Sequence, residues 1–293
     1  MLTSLRLSAE VDYRRETGMA ELDRRLLIAV YTSSTATPLA LTAALGHDKG
    51  QVSRALKRLE AARLIRREGL RGPVTLAPRG ERITATIMAI AARRNADLVA
   101  GVAPERVGMV TETVQKLTAQ AVALLARERA LAGDGECNAA PPPPPPVSSS
   151  GNRLLAADLM TLLIYLQRSA ALAYKRLTGL SSFDWQVLSQ VAEHRPLPLA
   201  RLILMLGRDK GQAGRTVKRL EDLGLVERQR ATGRRAVLLE PTARGLDVYA
   251  IMEQDALRRN EFLTSGIGRA EMKRFLETLD QLTENAERLR EGA

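Results

Sequence analysis

Two short stretches of this chain carry most of its capacity for chemistry: Gly46-His47-Asp48-Lys49-Gly50-Gln51 and Gly207-Arg208-Asp209-Lys210-Gly211-Gln212. In each, an Asp stands three residues ahead of a Gln, the pattern of a helix N-cap closed by a capping box. In the first helix Val52, Leu56, Leu59 and Arg63 fall on one face, whose apolar members pack inward. Gly50, Ser53, Arg54 and Lys57 take the opposite face, and Gly211, Gly214, Arg215 and Lys218 repeat it. Small residues beside cations suit a close approach to phosphates and base edges in a DNA major groove. The candidate DNA-binding residues are therefore Lys49, Gly50, Gln51, Ser53, Arg54, Lys57 and Arg58, with Lys210, Gly211, Gln212, Gly214, Arg215, Lys218 and Arg219 in the second copy.

The charge is focused on these stretches. The chain has 44 Lys and Arg against 33 Asp and Glu, a net +11. Residues 48–71 and 208–235 each carry an excess of about +5, so two windows hold nearly all of it. A generally solvated surface spreads its charge. This pattern points to a polyanionic partner.

Stepping outward, the elements that position these residues occur twice. Tyr13–Arg67 aligns without a gap on Tyr174–Arg228, with about 21 of 55 positions identical. Six consecutive prolines, Pro141–Pro146, followed by Ser148, Ser149 and Ser150, mark an extended linker between the copies. The expected domains are residues 1–135, a linker at 136–152, and residues 153–293. In each unit a long first helix precedes a Thr-Gly turn. A second helix follows Asp23 or Asp184, a third ends near Gly46 or Gly207, and then come the basic helix, a β-hairpin and two further helices. The hairpin of the second unit has Arg234 and Arg235 near its tip, suited to a minor groove. The first hairpin is about four residues shorter, with Arg71-Gly72-Pro73 at its tip. Val107, Val110, Val114, Leu117, Ala121 and Leu124 form a heptad seam near the end of the first unit, and Met272, Phe275, Leu279, Leu282, Ala286 and Leu289 nearly repeat it. Such seams need partner helices. The fold class that follows is mainly α with small β-wings: two tandem winged helix-turn-helix domains whose long terminal helices pair about a pseudo-two-fold.

Other classes find little support. No nucleophile elbow, phosphate loop or metal-ligand spacing occurs, so an enzyme is not expected, nor a cofactor or metal. Cys137 is alone, and His47 and His194 are the only histidines. The longest apolar runs, near Leu159–Leu166 and Leu202–Leu206, fall short of the roughly 18 residues of a membrane span. The N-terminus lacks a signal peptide's apolar run, which points to a cytoplasmic, nucleoid-associated protein with no membrane partner.

The chain resembles the multiple-antibiotic-resistance regulator (MarR) family. The second unit carries the resemblance through Asp209-Lys210-Gly211-Gln212, Arg215, Leu220-Glu221-Asp222-Leu223-Gly224-Leu225-Val226, Arg235 and Thr242-Ala243-Arg244-Gly245; the first has the same order, ending at Arg79-Gly80. The resemblance implies a transcriptional regulator that binds palindromic double-stranded DNA and whose terminal helices form a dimer interface. It also implies release by small, commonly phenolic, effectors. Gly233 stands where the family's wing usually has an Asp bracing the Arg, and neither unit has the first-helix cysteine of oxidant-sensing members. The expected function is thus a repressor acting as a single-chain pseudo-dimer by intramolecular pairing of its units. The sequence does not exclude two chains pairing into a four-headed assembly. The alternative is a non-enzymatic tandem winged-helix scaffold for protein contacts in a chromosome-associated complex. Trp185, Phe183, Tyr165 and Tyr174 are candidates to line an effector pocket or simply to fill the core.

Overall fold

The periodicity that places Val52, Leu56 and Leu59 on one helical face recurs in helix after helix, and the computed structural model realises it in a mainly helical chain with two small sheets. It describes residues 2–33, 36–45, 49–69, 72–132, 154–207, 210–230 and 237–291. The first copy contributes α1 (Leu2–Thr17), α2 (Glu21–Thr32), α3 (Pro38–Leu45), α4 (Lys49–Ala61), β1 (Ile65–Arg67), β2 (Val74–Leu76), α5 (Pro78–Leu98) and α6 (Pro104–Leu131). The second contributes α7 (Leu155–Thr178), α8 (Ser182–Glu193), β3 (Leu197–Pro198), α9 (Leu199–Leu206), α10 (Lys210–Asp222), β4 (Val226–Arg230), β5 (Val237–Pro241), α11 (Ala243–Thr264) and α12 (Arg269–Glu291). The linker and the capping residues Asp48 and Asp209 lie outside the described residues.

Each winged-helix core is a small apolar cluster enclosed by three helices and the hairpin. In the first, Leu26, Leu27 and Val30 of α2 meet Leu41, Val52, Leu56, Leu59, Ile65 and Val74. In the second, Val187, Leu188 and Val191 meet Leu202, Ala213, Val217, Leu220, Val226 and Leu239. The hairpins are antiparallel, β1 on β2 and β4 on β5. A third strand was not expected from the sequence: Leu197 pairs with Leu239, and an isolated bridge joins Ala36 to Val74. These one- and two-residue pairings are too short to leave an alternating pattern. The α2 and α8 helices also start earlier than expected. Ser181 caps α8, its Oγ accepting from the Asp184 backbone N–H, which puts Asp184 inside the first turn. The side chain of Asp184 accepts in return from the backbone N–H of Ser181.

Both recognition-type helices end in the same motif. Leu64 donates to the Leu59 carbonyl and Arg63 to that of Glu60; Leu225 and Gly224 do the same to Leu220 and Glu221. This paired geometry demands a left-handed residue after the helix. Gly224 supplies it at φ 67, but in the first copy Arg63 holds φ 57. Arg63 therefore lies past the helix and exposed, and does not continue the helical face of Val52, Leu56 and Leu59 as expected. Next in the chain, Gly80 and Gly245 let the following helix press against backbone. A Cβ at either would stand 1.9 or 2.0 Å from the carbonyl oxygen of Leu64 or Leu225.

By proximity the chain forms two compact units whose bounds cross those of the repeat. The first comprises the described residues 2–118, 154–163 and 267–291; the second comprises 119–132 and 164–266. The last helix, α12, thus belongs with the first winged helix, packing on α1 and α5. Its seam residues Phe275, Leu282 and Ala286 are buried there. Polar contacts fix its register. Asn285 Nδ2 donates to the carbonyls of Leu98 and Ala100 at 2.7 and 2.9 Å, and Gln281 donates to that of Gly101 at 3.0 Å. These carbonyls at and just beyond the end of α5 have no continuing helix to pair with. Thr113 and Lys116 of α6 both bond Glu271, at 3.2 and 2.9 Å, while Arg106 reaches Thr278. Alone among the described helices, α7 has the length and hydropathy of a bilayer span. Leu155, Asp158, Leu159, Leu162, Tyr165, Ser169 and Ala173 on it are nonetheless buried in protein.

Two stability changes are expected. Replacing Arg63→Gly removes a left-handed strain of about 1 kcal/mol and raises the urea midpoint of the full chain. Replacing Asn285→Ala leaves two carbonyls unpaired beneath α12 and costs about 1–3 kcal/mol by the same measurement.

Candidate nucleic-acid interface

The two basic helices are amphipathic in the same register. Val52, Ala55, Leu56 and Leu59 are the buried face of α4; Ala213, Thr216, Val217 and Leu220 are that of α10. Lys49, Gln51, Ser53, Arg54, Lys57 and Arg58 are exposed, as are Lys210, Gly211, Gln212, Arg215, Lys218 and Arg219. Gly50 and Gly214 are half-buried. The wing-tip candidates Arg71, Arg234 and Arg235 lie outside the described residues.

Ion pairs sort the cations into two kinds. Arg58 reaches back to Asp23 on α2, its Nη2 2.8 Å from Oδ1. Arg219 stands 3.6 Å from the buried Asp184 in the same relation. These arginines brace the basic helix against the helix beneath it while remaining half exposed. Lys218 is bound to Asp222 at 2.7 Å, a hydrogen bond that raises its pKa above the ordinary lysine value. Lys57 has Ala61 at the matching position and no ion pair with a described residue. Arg54 and Arg215, at equivalent positions, likewise form no ion pair or hydrogen bond with a described residue. Both copies therefore present one unspent arginine in the middle of the exposed face.

A second brace escaped the sequence reading. Glu60 pairs with Arg67 on β1, and Glu221 pairs with Arg228 on β4 at 3.2 Å. Each ties the first wing strand to the basic helix. The signal that could have found both braces is recurrence: Asp23, Arg58, Glu60 and Arg67 are all retained as Asp184, Arg219, Glu221 and Arg228. The wings differ in length, with three residues in each strand of the first hairpin and five in each of the second.

Glycine 214 is not required by the protein's own packing, because a Cβ there meets nothing within 4 Å. Of the aromatic residues considered for a pocket, Tyr174 and Trp185 pack on each other. Trp185 lies between Tyr174 and Tyr249, with ring centroids 5.8 and 5.6 Å away. Tyr165 is buried, and Phe183 packs on the second core. An apolar cavity of about 200 Å³ does exist in the first unit, lined by Tyr13, Ile28, Met88, Leu154 and Met160 among others.

The arrangement is that of a winged-helix DNA-binding protein, twice over. Residues 180–245 match the winged helix DNA-binding domain, and residues 17–72 match the MarR family. The MarR-family match falls in the first of two tandem units and the winged-helix match in the second. Among solved structures, it is similar to a crystal structure of MarR at 28% identity, covering 44% of this chain and 98% of that one, with a TM-score of 0.38. Streptococcus pneumoniae FabT in complex with DNA is similar at 18% identity, over 45% of this chain and 94% of that one, with a TM-score of 0.41. The PcaV regulator of Streptomyces coelicolor, in complex with its natural ligand, is similar at 22% identity, over 44% and 93%, with a TM-score of 0.36. No curated protein matches the chain.

Replacing Gly214→Ala separates two roles for this glycine. Helix propensity alone raises stability by about 1 kcal/mol. If duplex DNA approaches the α10 backbone closely, binding weakens at the same time, as fluorescence anisotropy of a labelled operator would record.

Proposed function

We propose that the chain is a transcriptional repressor that binds double-stranded DNA as a single-chain pseudo-dimer. The basic helices α4 and α10 each enter a major groove, and the unequal wings reach the flanking minor grooves. The observation that carries this reading is the repeated pair Arg54 and Arg215. They are exposed on equivalent faces of braced helices and unspent on any described acidic partner. Lys49, Gly50, Gln51, Ser53, Lys57, Lys210, Gly211, Gln212 and Gly214 complete the reading surface, with Lys218 and the bracing Arg58 and Arg219 at its edge. Arg71, Arg234 and Arg235 belong to the wings.

The domain order proposed is a first winged-helix unit over residues 1–135, a linker at 136–152 and a second unit over 153–293. The return of α12 to the first winged helix supports pairing of terminal helices within one chain. A dimeric reader places its two recognition helices about 34 Å apart, one turn of duplex. Tethering keeps the second reader at a high local concentration and removes dependence on dimerisation. Such a protein works where the chromosome is, in the cytoplasm and on the nucleoid, and has no enzymatic activity. A small apolar effector fits the cavity against Ile28 of α2, where it would bias the placement of the first reading head.

Selection of bound duplexes from a random pool tests the reading, and it should return an operator with imperfect dyad symmetry. On that operator, Arg54→Ala and Arg215→Ala each cost about 1–3 kcal/mol where the arginine reads a base. A lost phosphate contact instead lowers the salt slope by about 0.9. No change in affinity, specificity or salt slope for either variant overturns the reading.

A further inference from the structure

The two reading heads differ most in charge where the basic helix ends. From Lys49 to Glu60 and from Lys210 to Glu221 the charged residues match position by position. Just beyond, residues 61–68 hold three cations, Arg63, Arg66 and Arg67, and one anion, Glu68, a net +2. The aligned residues 222–229 hold one cation, Arg228, and two anions, Asp222 and Glu227, a net −1. Arg67 and Arg228 are spent on the same brace, with Glu60 and Glu221. The unmatched charges lie at the surface: Arg63, Arg66 and Glu68 in one head, Asp222 and Glu227 in the other.

Of these, Asp222 bears directly on the face that would meet DNA. Arg215, Lys218 and Asp222 are spaced three and four apart, on one stripe of α10, as Arg54, Lys57 and Ala61 are on α4. Lys218 Nζ donates to Asp222 Oδ1 at 2.7 Å, with side chains 66% and 61% exposed. Helix stability gives no reason for this aspartate. It is the last residue of α10, where the helix dipole presents partial negative charge and disfavours an anion. Its intrinsic helix propensity is also below that of the alanine in the first copy. An exposed pair of this kind adds little to folding stability. Its consequence is electrostatic. Within a Debye length of about 8 Å, an approaching phosphate meets a neutral pair on α10 and, on α4, an ammonium with no described acidic partner.

We propose that the heads engage the DNA backbone unequally, Lys57 contacting a phosphate in the first while Asp222 withholds Lys218 from one in the second. This rests on the DNA-binding reading and adds to it the residue that sets the balance between half-sites. Asp222 acts through Lys218 and is a positioning residue. The α4 half-site then carries more of the counterion release than the α10 half-site, so added salt weakens the first head more steeply than the second.

Fluorescence anisotropy of the full chain on a labelled duplex carrying the selected operator, from about 50 to about 200 mM salt, tests the proposal. Each phosphate contact contributes about 0.9 to the slope of log affinity against log salt. Lys57→Ala should lower the slope by about that amount, and Lys218→Ala by less than about a third of it. Asp222→Ala should tighten binding and raise the slope by up to about 0.9, a gain that Lys218→Ala abolishes when added to it. Ala61→Asp builds the same pair into the first head and should lower the slope as Lys57→Ala does. Both exchanged side chains are exposed, so neither substitution disturbs a core. Equal losses of slope in Lys57→Ala and Lys218→Ala overturn this proposal alone, as does an unchanged slope in both Asp222→Ala and Ala61→Asp. Absence of salt-dependent duplex binding by the parent chain overturns the DNA-binding reading together with it.

Discussion

The first unit depends on one packing requirement: α12 has to bury an apolar seam, and the elements that cover it lie at the other end of the chain. Phe275, Leu282 and Ala286 are out of solvent, and the helix packs on α1 and α5. The contact between Lys116 and Glu271 alone spans 155 residues of sequence. Loop-closure entropy grows only with the logarithm of loop length, so a return over such a distance costs little more than a short one. The apolar seam repays that cost, and polar groups make the return specific. Asn285 and Gln281 satisfy carbonyls at and beyond the end of α5, and without Asn285 in this register the Leu98 carbonyl would be left buried and unpaired.

A second constraint acts on the basic helices. Each must be held firmly while its outer face stays uncommitted. The inner face does this by apolar packing, and the flanks by charge: Asp23 with Arg58 and Glu60 with Arg67, then Asp184 with Arg219 and Glu221 with Arg228. Half-exposed ion pairs contribute little to stability. Their recurrence in both copies argues for orientation instead, since each pair links the basic helix to a different neighbour. The helix is thereby fixed against α2 or α8 on one side and against its wing on the other. Arg54 and Arg215 lie between these braces, free of them.

Much of this was legible in the residues. Helix count and order, the two hairpins with their unequal lengths, and the exposure of Arg54, Lys57, Arg215 and Lys218 all follow from periodicity and from the repeat. What was not legible depended on contacts between residues far apart in sequence. The heptad seam of α12 announced that a partner helix was needed, but a seam is indifferent to which helix covers it. The role of Arg58 was hidden because a cation facing DNA and a cation facing an aspartate look alike until the aspartate's position is known. Arg63 was placed on the helical face of Val52, Leu56 and Leu59 because helical spacing was carried past the end of α4, onto the left-handed residue that terminates it. The short strands β3 and the Ala36–Val74 bridge are made by partners, not by local propensity.

Fusion of two copies in one chain alters what their surfaces can become. In a symmetric dimer any substitution appears in both halves, so a change that helps one site is imposed on the other. Here the copies are free of that rule, and the differences fall at informative places. Ser53 is matched by Gly214, Ala61 by Asp222 (which engages Lys218), and the shorter hairpin by the longer one. The buried charges have separated as well: the first unit keeps the carboxylate on α1 beside its arginine, while the second places one on α11, 3.9 Å from Arg258, with its Oδ2 lacking a hydrogen bond among the described residues. A buried carboxylate with one oxygen unsatisfied costs stability while it stays charged, a cost that the closed Asp12–Arg94 pair of the first unit avoids.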